Sequence, residues 1–201
     1  MNHSILRAVL AAALALGATT ARAAEDDLAT AIFAGGCFWC MEPPYDEMDG
    51  VKSTISGYIG GHVADPSYQQ VTGGDTGHAE AVKIVYDPEV VDYGQLLHVF
   101  WRNVDPLTAN RQFCDQGSQY RSAIFYVDER QKTLAEQSLA EVAARFDDPV
   151  VTEINSAGTF YPAEDYHQNY YEKNPLRYKF YRYGCGRDAR LEELWGKEAG
   201  G

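Results

Sequence analysis

The chain has 201 residues and a formal net charge of −12, with 29 acidic and 17 basic side chains. An acidic chain without a basic run is poorly suited to bind the phosphate backbone of a nucleic acid, so functions of that kind are not expected. The length fits one domain that buries a sizeable core.

The first 23 residues have the pattern of a secretory signal peptide. Arg7 precedes an apolar run from Ala8 to Ala18, and Ala21-Arg22-Ala23 supplies small residues where a signal peptidase reads. The run has 11 residues, which is too short to cross a bilayer, since that requires about 20. We therefore predict cleavage after Ala23, export to the periplasm, a single domain over residues 24–201 and no membrane span.

The mature chain contains no repeat or linker and alternates predicted strands with predicted helices. Short β-branched runs predict strands, and apolar residues at helical spacing predict helices. In chain order the elements are a strand over Thr30–Ala34, an irregular helix over Cys37–Met48, strands over Val51–Ile59 and Ala79–Tyr86, a helix over Tyr93–Asn103, a strand over Ser122–Val127, a helix over Glu129–Phe146 and a strand over Pro149–Asn155. This order predicts an α+β or mixed α/β fold with helices on a sheet of mixed pairing.

Three long polar segments separate these elements, over Gly60–His78, Asp105–Tyr120 and Ala157–Gly186. They are rich in glycine, tyrosine and histidine. Long loops on a compact scaffold are where binding and catalytic residues concentrate. We therefore expect the functional residues in or beside these segments.

Four cysteines lie at positions 37, 40, 114 and 185. An even number in an exported chain is typical of structural disulfides, so a binding domain stapled by two disulfides is one hypothesis. Cys37 and Cys40 form a C-x-x-C motif, which suggests a disulfide oxidoreductase as a second. The Phe-Trp pair between them and the strand order are unlike thioredoxin, however. Without a second C-x-x-C or a Cys/His set, no metal site is expected.

Cys37 follows Gly35-Gly36, where the first strand passes into a helix. Unpaired backbone N–H groups and the helix dipole favour a thiolate at such a position. Phe38 and Trp39 come next, and two rings beside a nucleophile form a methyl-sized pocket as readily as they join a core. The pattern indicates a reactive thiol, with a small buried residue as the alternative.

Further candidate functional residues lie far from Cys37 in the sequence. Glu80 begins a strand after a glycine-rich turn that lacks the lysine and the helix of a phosphate loop. A partly buried carboxyl group there keeps its proton and acts as an acid, whereas an exposed strand-end charge is the alternative. Cys185 is flanked by Gly184 and Gly186, which predicts a mobile, exposed thiol suited to disulfide exchange.

Several of these motifs together resemble the peptide methionine sulfoxide reductases of the A type. The resemblance runs from about Thr30 to Trp195, and its specificity comes from long motifs in the right order. It implies a ferredoxin-like, two-layer α+β core with a mixed sheet, extra helices and long loops. The matching segments are Gly35–Trp39, Gly57-Tyr58 with Gly60-Gly61, Gly77–Glu80, Asp115–Arg121 and Tyr161–Gln168.

The resemblance also implies an activity, which is the reduction of methionine S-sulfoxide, free or in proteins, to methionine. The reaction passes through a Cys37 sulfenic acid and an intramolecular disulfide, and a thioredoxin-like dithiol recycles the enzyme, with no bound cofactor. A monomer is expected. The implied roles are Cys37 as nucleophile, Glu80 as acid, Tyr68 and Tyr120 as binders of the sulfoxide oxygen, Phe38 and Trp39 as the methyl pocket, Asp115 as an orienting group and Cys185 as resolving cysteine.

Two positions depart from the family pattern or lack a role in it. The residue after Cys-Phe-Trp is often glycine in the family, and here it is Cys40, which competes with Cys185 as the resolving thiol. The family position of Cys185 favours that residue. Cys114 is expected to be a small buried residue without a catalytic role.

Overall fold

The structure is a computed structural model that describes residues 28–200. The predicted signal peptide lies outside the described residues. Among the helices of residues 28–200, none has the length and apolar character needed to cross a membrane.

A six-stranded sheet forms the centre of the described molecule, and a two-stranded hairpin lies apart from it. The order of the sheet is β7-β6-β1-β3-β2-β8, with antiparallel pairing except between β6 and β7. The strands are β1 (Ala29–Gly35), β2 (Val51–Ile59), β3 (Ala79–Tyr86), β4 (Arg111–Gln112), β5 (Asp115–Gln116), β6 (Ser122–Tyr126), β7 (Glu153–Ser156) and β8 (Tyr161–Pro162).

Helices connect and cover these strands. They are α1 (Phe38–Met41), α2 (Pro43–Asp46), α3 (Tyr68–Thr72), α4 (Tyr93–Arg102), α5 (Glu129–Ala143), α6 (Tyr170–Lys173), α7 (Pro175–Gly184) and α8 (Arg187–Trp195), with short 3-10 turns at Ser118–Tyr120 and Gly196–Glu198. The aromatic rings of Phe33 on β1 and Phe100 on α4 meet at 5.1 Å in the core. The predicted apolar stripe of α4 is buried, as expected.

Four strands carry the ferredoxin-like pattern. Taken as first to fourth in the chain, β1, β2, β3 and β6 lie side by side in the order fourth, first, third, second. This is the arrangement of the split β-α-β-β-α-β fold. The predicted α+β class is therefore confirmed, with β7 and β8 added at the two edges.

Two predicted elements differ from the structure for local reasons. The helix expected over Cys37–Met48 is two short helices, because Pro43 and Pro44 lack the N–H groups that would continue α1 and instead begin α2. The strand expected from Pro149 begins only at Glu153. Before that point the N–H of Val151 donates to the carbonyl of Pro106 at 2.8 Å, so it makes no ladder bond with β6.

The segment Ala157–Gly186, expected to be a loop, contains β8, α6 and α7. Cys185 is the C-cap residue of α7, and its N–H donates to the Tyr181 carbonyl at 2.9 Å. Cys185 therefore lies at the end of a helix and not in the loop expected from the sequence. The apolar residues of this helix that recur at helical spacing, Leu176, Phe180 and Tyr183, are exposed, and the helix buries no residue fully.

Candidate active site

Cys37 lies at the sharp turn from β1 into α1. Gly36 makes that turn with a φ of +81°, and a Cβ added there would lie 2.5 Å from the Cβ of Gln112. Only glycine adopts this conformation at such close approach without strain. The turn places the Cys37 side chain in the interior, where it is 7% exposed.

Glu80 lies beside this thiol on β3, and its side chain is 2% exposed. Its Oε2 accepts a hydrogen bond from the backbone N–H of Phe38 at 3.2 Å. Burial raises the pKa of Glu80 to about 8, although that hydrogen bond opposes the shift. The carboxyl group is therefore protonated at neutral pH, which excludes the exposed strand-end charge considered from the sequence.

The two C-x-x-C thiols are both buried and hydrogen-bonded to each other. Burial raises the pKa of Cys37. The hydrogen bond from Cys37 lowers the pKa of Cys40 to about 6, helped by the positive charges of Arg187 and Arg182. The two thiols therefore influence each other's charge, and the arginines favour the thiolate form of the pair.

Tyr68 and Tyr120 approach the same point from two loops. Burial raises the pKa of each phenol, and nearby charges at Glu80 and Cys37 raise it further. Both hydroxyl groups are therefore neutral donors at neutral pH. The structure brings together all four of these residues, which come from separate parts of the chain.

Phe38 and Trp39 occupy different environments. Phe38 belongs to the main core cluster and is 1% exposed. Trp39 is half-buried, stacks on Tyr170 with ring centroids 3.7 Å apart, and donates its indole N–H to Nδ1 of His167 at 3.0 Å. The half-buried indole is thus the aromatic surface that borders the site.

Asp115 connects the thiol with the remaining cysteines. Its Oδ2 accepts a hydrogen bond from the hydroxyl of Tyr181, whose pKa is raised by burial and by the nearby Cys37. The same Oδ2 lies 3.9 Å from Sγ of Cys185. Burial raises the pKa of Asp115, and the hydrogen bond from Tyr181 opposes that shift.

Cys114 and Cys185 form a disulfide, with Cα atoms 4.9 Å apart. Cys114 lies in the two-residue turn between β4 and β5 and is exposed, so its expected burial is wrong. Phe113, the other turn residue, has a φ of +55°, which turns the hairpin tightly. Cys185, which was predicted to resolve the Cys37 sulfenic acid, is therefore bonded to Cys114 in this structure and is not a free thiol.

Several site residues were not singled out from the sequence. Glu164 accepts the backbone N–H of Tyr68 at 2.9 Å and the hydroxyl of Tyr58 at 2.8 Å, so it fixes the start of α3. His167 holds the Trp39 indole, and burial lowers its pKa to about 4, which keeps it neutral. Both lie in the matched segment Tyr161–Gln168, which was the available signal.

Comparison with known proteins gives the family. The family model described as "Peptide methionine sulfoxide reductase" matches residues 29–199. A peptide methionine sulfoxide reductase MsrA of Bacillus licheniformis is 48% identical over 178 residues, covering 88% of this chain and 97% of that protein. One from Streptococcus uberis is 53% identical over 167 residues, covering 82% and 98%.

Solved structures agree with the sequence matches. Reduced Mxr1 from Saccharomyces cerevisiae superposes with a TM-score of 0.71 at 33% identity, covering 75% of this chain and 87% of that one. Mxr1 in complex with Trx2 superposes with a TM-score of 0.52 at 22% identity, covering 72% and 86%. The chain therefore belongs to the peptide methionine sulfoxide reductase family of the A type, and its activity is the thiol-dependent reduction of methionine S-sulfoxide to methionine.

Proposed function

We propose that Cys37 is the nucleophile and Glu80 the acid in this reduction. The observation that carries the proposal is the buried Glu80 carboxyl group, whose pKa of about 8 keeps it protonated beside Cys37. The Cys37 sulfur attacks the sulfoxide sulfur while Glu80 gives its proton to the oxygen, since expelling a bare oxide ion is prohibitive. Methionine leaves, and the oxygen remains on Cys37 as a sulfenic acid.

The charge for the attack comes from the thiol pair. Cys40 carries the negative charge in the resting site and accepts the Cys37 proton through their hydrogen bond. The attacking sulfur therefore gains thiolate character only when the substrate is in place.

The remaining site residues bind the substrate, which is methionine sulfoxide either free or in an oxidised protein. The neutral phenols of Tyr68 and Tyr120 donate to the sulfoxide oxygen. The rings of Phe38 and Trp39 hold the methyl group, and the carboxylate of Asp115 orients the rest of the substrate.

We propose that Cys40 resolves the sulfenic acid while Cys185 is held in its disulfide, and that Cys185, the resolving cysteine that the resemblance implies, does so once that disulfide is open. Cys40 is hydrogen-bonded to Cys37 and holds the proton it accepted from Cys37, which it loses readily because its pKa is lowered to about 6; that proton leaves with the sulfenic acid hydroxyl. Cys185 is bonded to Cys114 and is separated from Cys37 by the Tyr181–Asp115 hydrogen bond. Attack of Cys40 on the Cys37 sulfur forms a disulfide and releases the oxygen as water.

Peptide mapping tests these roles. Trypsin places Cys37 and Cys40 in one peptide, Cys114 in Gln112–Arg121 and Cys185 in Tyr183–Arg187. Protein that keeps the Cys114–Cys185 disulfide is given excess methionine sulfoxide and no reductant. It should release methionine while the peptide that holds Cys37 and Cys40 loses two hydrogens. Cys37→Ser should release none. Methionine release without that mass loss, leaving a sulfenic acid that dimedone traps, would exclude Cys40.

We further propose that a thioredoxin-like dithiol protein recycles the enzyme, which binds no cofactor for this purpose. The complex of the yeast relative with Trx2 supports this choice of reductant. The exposed sulfur of Cys114 supports it from this chain's side. An assay that couples methionine formation to thioredoxin oxidation measures this step.

We also propose that the enzyme acts as a monomer in the periplasm. The apolar run and small-residue cleavage site at the N-terminus support export. Mass spectrometry of the periplasmic protein should find residue 24 as its first residue. Recovery of the full-length chain from the cytoplasm would contradict this proposal.

A further inference from the structure

We infer that Glu42 is a positioning residue for the methyl group of the substrate, because it holds together the two helices whose rings, Trp39 and Tyr170, stack at the edge of the site. The inference rests on the proposed role of Trp39 in the methyl pocket. Glu42 takes part in no step of the proposed reaction. We call the stacked rings of Trp39 and Tyr170 the aromatic wall.

Glu42 is a fully buried carboxyl group whose two oxygen atoms are satisfied unequally. Its Oε1 accepts a hydrogen bond from the Ser56 hydroxyl at 2.9 Å. Its Oε2 has no hydrogen-bond partner among residues 28–200. A buried polar atom without a partner costs stability, so its retention calls for an explanation. Glu42 is therefore a candidate for a role beyond packing.

The backbone of Glu42 joins α1 to α2. Its N–H donates to the carbonyl of Phe38 at 3.1 Å, and its own carbonyl accepts the N–H of Asp46 at 3.1 Å. Trp39 precedes Glu42 by three residues, a spacing that puts both side chains on one side of the helical turn. Helix α1 has four residues and is marginal on its own. The contacts of Glu42 with neighbouring elements therefore help to fix the indole of Trp39.

Ser56 on β2 connects the Glu42 carboxyl group with the segment that receives the indole. The backbone N–H of Ser56 donates to Oε1 of Gln168 at 2.8 Å, and its carbonyl accepts from Nε2 of Gln168 at 2.9 Å. Gln168 directly follows His167, whose Nδ1 accepts the indole N–H of Trp39 at 3.0 Å. The Glu42 carboxyl group and the acceptor of the indole are thus tied to the same residue of the central sheet.

The start of α6 lies against the same carboxyl group. The backbone N–H groups of Asn169 and Tyr170 lower the pKa of Glu42, so they face its oxygen atoms. Asn169, the N-cap of α6, makes no side-chain cap, and the first N–H groups of a helix need an acceptor from elsewhere. The ring of Tyr170 stacks on the indole of Trp39 with centroids 3.7 Å apart. Glu42 therefore lies against the backbone that carries each ring of the aromatic wall.

The charge of Glu42 is balanced between opposing neighbours. Burial raises its pKa to about 7, and the charge of Asp46 on α2 raises it further, whereas the Ser56 hydroxyl opposes the shift. On α6 the ionisable side chain that feels this charge is Tyr171, whose pKa Glu42 raises, and on β2 the facing group is the uncharged Ser56. Glu42 is therefore neutral at acidic pH and becomes a carboxylate as pH rises through about 7.

Ionisation of Glu42 gives its positioning role a signature that packing alone would lack. A carboxylate attracts the N–H groups at the start of α6 more strongly than a neutral carboxyl group does, because a hydrogen bond to a charged acceptor is stronger. Tyr170 lies in that first turn, so its ring shifts against the indole of Trp39 when Glu42 becomes charged. The surroundings of the indole should therefore change as pH rises through about 7.

A pH titration followed by ¹H–¹⁵N NMR of the indole N–H groups tests this contact. The parent is Cys37→Ser/Cys40→Ser, which removes the titration of both thiols, and its Trp39 signal should shift with a midpoint near pH 7. Glu42→Gln keeps the volume and one acceptor oxygen and should abolish this shift. Glu47→Gln, an exposed neighbour at the end of α2, is the matched control and should keep it. A shift that Glu42→Gln retains, or no shift in the parent, would overturn the inference.

A comparison of two substrates tests the consequence for the methyl pocket. Methionine sulfoxide and ethionine sulfoxide differ by one methylene group on the sulfur, and a fitted pocket discriminates such a pair by about tenfold or more. With dithiothreitol as reductant, Glu42→Leu should lower the ratio of kcat/KM for the methyl over the ethyl substrate by about tenfold. Glu42→Gln should keep the ratio of wild type. An equal loss on both substrates would indicate general destabilisation and would overturn the inference.

A further variant separates this inference from the proposed function. Trp39→Leu should also lower the methyl-to-ethyl ratio, because it removes the indole itself. An unchanged ratio in Trp39→Leu would contradict the proposed role of Trp39, whereas a lowered ratio there with an unchanged one in Glu42→Leu would overturn the role of Glu42 alone. If Glu42→Leu does not fold, the NMR titration of Glu42→Gln decides. No methionine from the wild-type protein would overturn the proposed function.

Discussion

At the scale of single residues, two buried ionisable side chains act on the thiols of the site. They are Glu80 and Arg187, and each is 2% exposed. Arg187 donates to the carbonyl oxygens of Gly35 and Asn103, both at 2.8 Å, and no carboxylate forms an ion pair with it among residues 28–200. A buried cation is costly unless it is hydrogen-bonded, and these two bonds offset part of that cost; the positive charge of Arg187 also lowers the pKa of Cys40.

Glu80→Gln should lower the single-turnover rate by about 100-fold, because the amide keeps a hydrogen bond but supplies no proton to the oxygen. The wild-type rate should fall as pH rises through about 8, where the Glu80 carboxyl group ionises. The variant should lack this alkaline limb. Rapid-quench measurement of methionine release from pH 6 to 9.5 shows both effects.

The matched control is Glu136→Gln on the exposed face of α5, which should behave as wild type. A near-normal rate for Glu80→Gln at neutral pH would contradict its role as the acid.

Arg187→Met should raise the pKa of Cys40 toward the ordinary thiol range, because the variant removes a positive charge that lowers it. Thiolate absorbance at 240 nm measures this pKa in protein that keeps the Cys114–Cys185 disulfide, so that only the thiols of Cys37 and Cys40 titrate. Arg187→Lys keeps the charge and should keep most of the shift. Arg190→Met, which removes a partly exposed arginine paired with Asp105, is the control.

An unchanged titration in Arg187→Met would mean that the Cys37 hydrogen bond alone sets the charge of the pair. A change of stability without a change of titration would give Arg187 a purely structural role.

Short elements and their ends position the functional groups at the scale of helices and strands. Helix α3 begins with a capping box between Ser67 and Gln70, which fixes Tyr68 at its first turn. The β4–β5 hairpin has two residues in each strand and presents Cys114 at its tip. The turn from β1 into α1, at Gly36, aims Cys37 at Glu80. The site is therefore built from element ends rather than element interiors.

Gly36→Ala should destabilise the protein by about 2 kcal/mol or more, since a side chain at positive φ costs 1–2 kcal/mol and the new methyl group meets Gln112. Gly184→Ala is the matched control, because its Cβ meets open space in a helix and should change stability by at most about 1 kcal/mol. Urea unfolding followed by circular dichroism compares the two. Equal stability would show that the turn relaxes freely.

The sequence predicts the elements whose apolar pattern is dense. The alternating runs of β2 and β3 and the apolar stripe of α4 place most of the sheet and its covering helix. Helix α7 was missed because its few apolar residues are spread among charged residues and tyrosines, and β4 and β5 are too short to produce a pattern.

Site chemistry was predictable to a similar degree. The family motifs identify Cys37, Glu80 and the tyrosines, which the structure brings together. The Cys114–Cys185 bond joins residues 71 positions apart, and four cysteines allow three pairings that no local pattern separates. The low pKa of Cys40 depends on Arg187, which is 147 positions away in the chain, so it follows only from the folded structure.

At the scale of the whole molecule, the proposed roles of the site residues predict the stereochemistry. The thiol, the acid and the aromatic rings come from β1 and α1, β3 and the loops around α3 and β6. If the phenols hold the oxygen and the indole holds the methyl group, only the S epimer presents its sulfur to Cys37.

A racemic mixture of methionine sulfoxide should therefore stop at half conversion with pure enzyme and excess reductant. Chiral chromatography of the remaining sulfoxide should find only the R epimer. Conversion beyond half, continuing at a measurable rate, would mean that the oxygen and methyl subsites exchange, and that the proposed roles of Tyr68, Tyr120 and Trp39 are wrong.

The position of Trp39, stacked on Tyr170 beside the thiols, makes its intrinsic fluorescence a reporter of the site. The chain has three tryptophans, and Trp101 and Trp195 are 1% and 3% exposed in the core, whereas Trp39 is half-buried next to the thiol pair. Indole emission is quenched by neighbouring thiolates and disulfides. We therefore expect the fluorescence of Trp39 to change when substrate binds, when Cys40 loses its charge and when the Cys37–Cys40 disulfide forms. A catalytic cycle can then be followed in real time without a label.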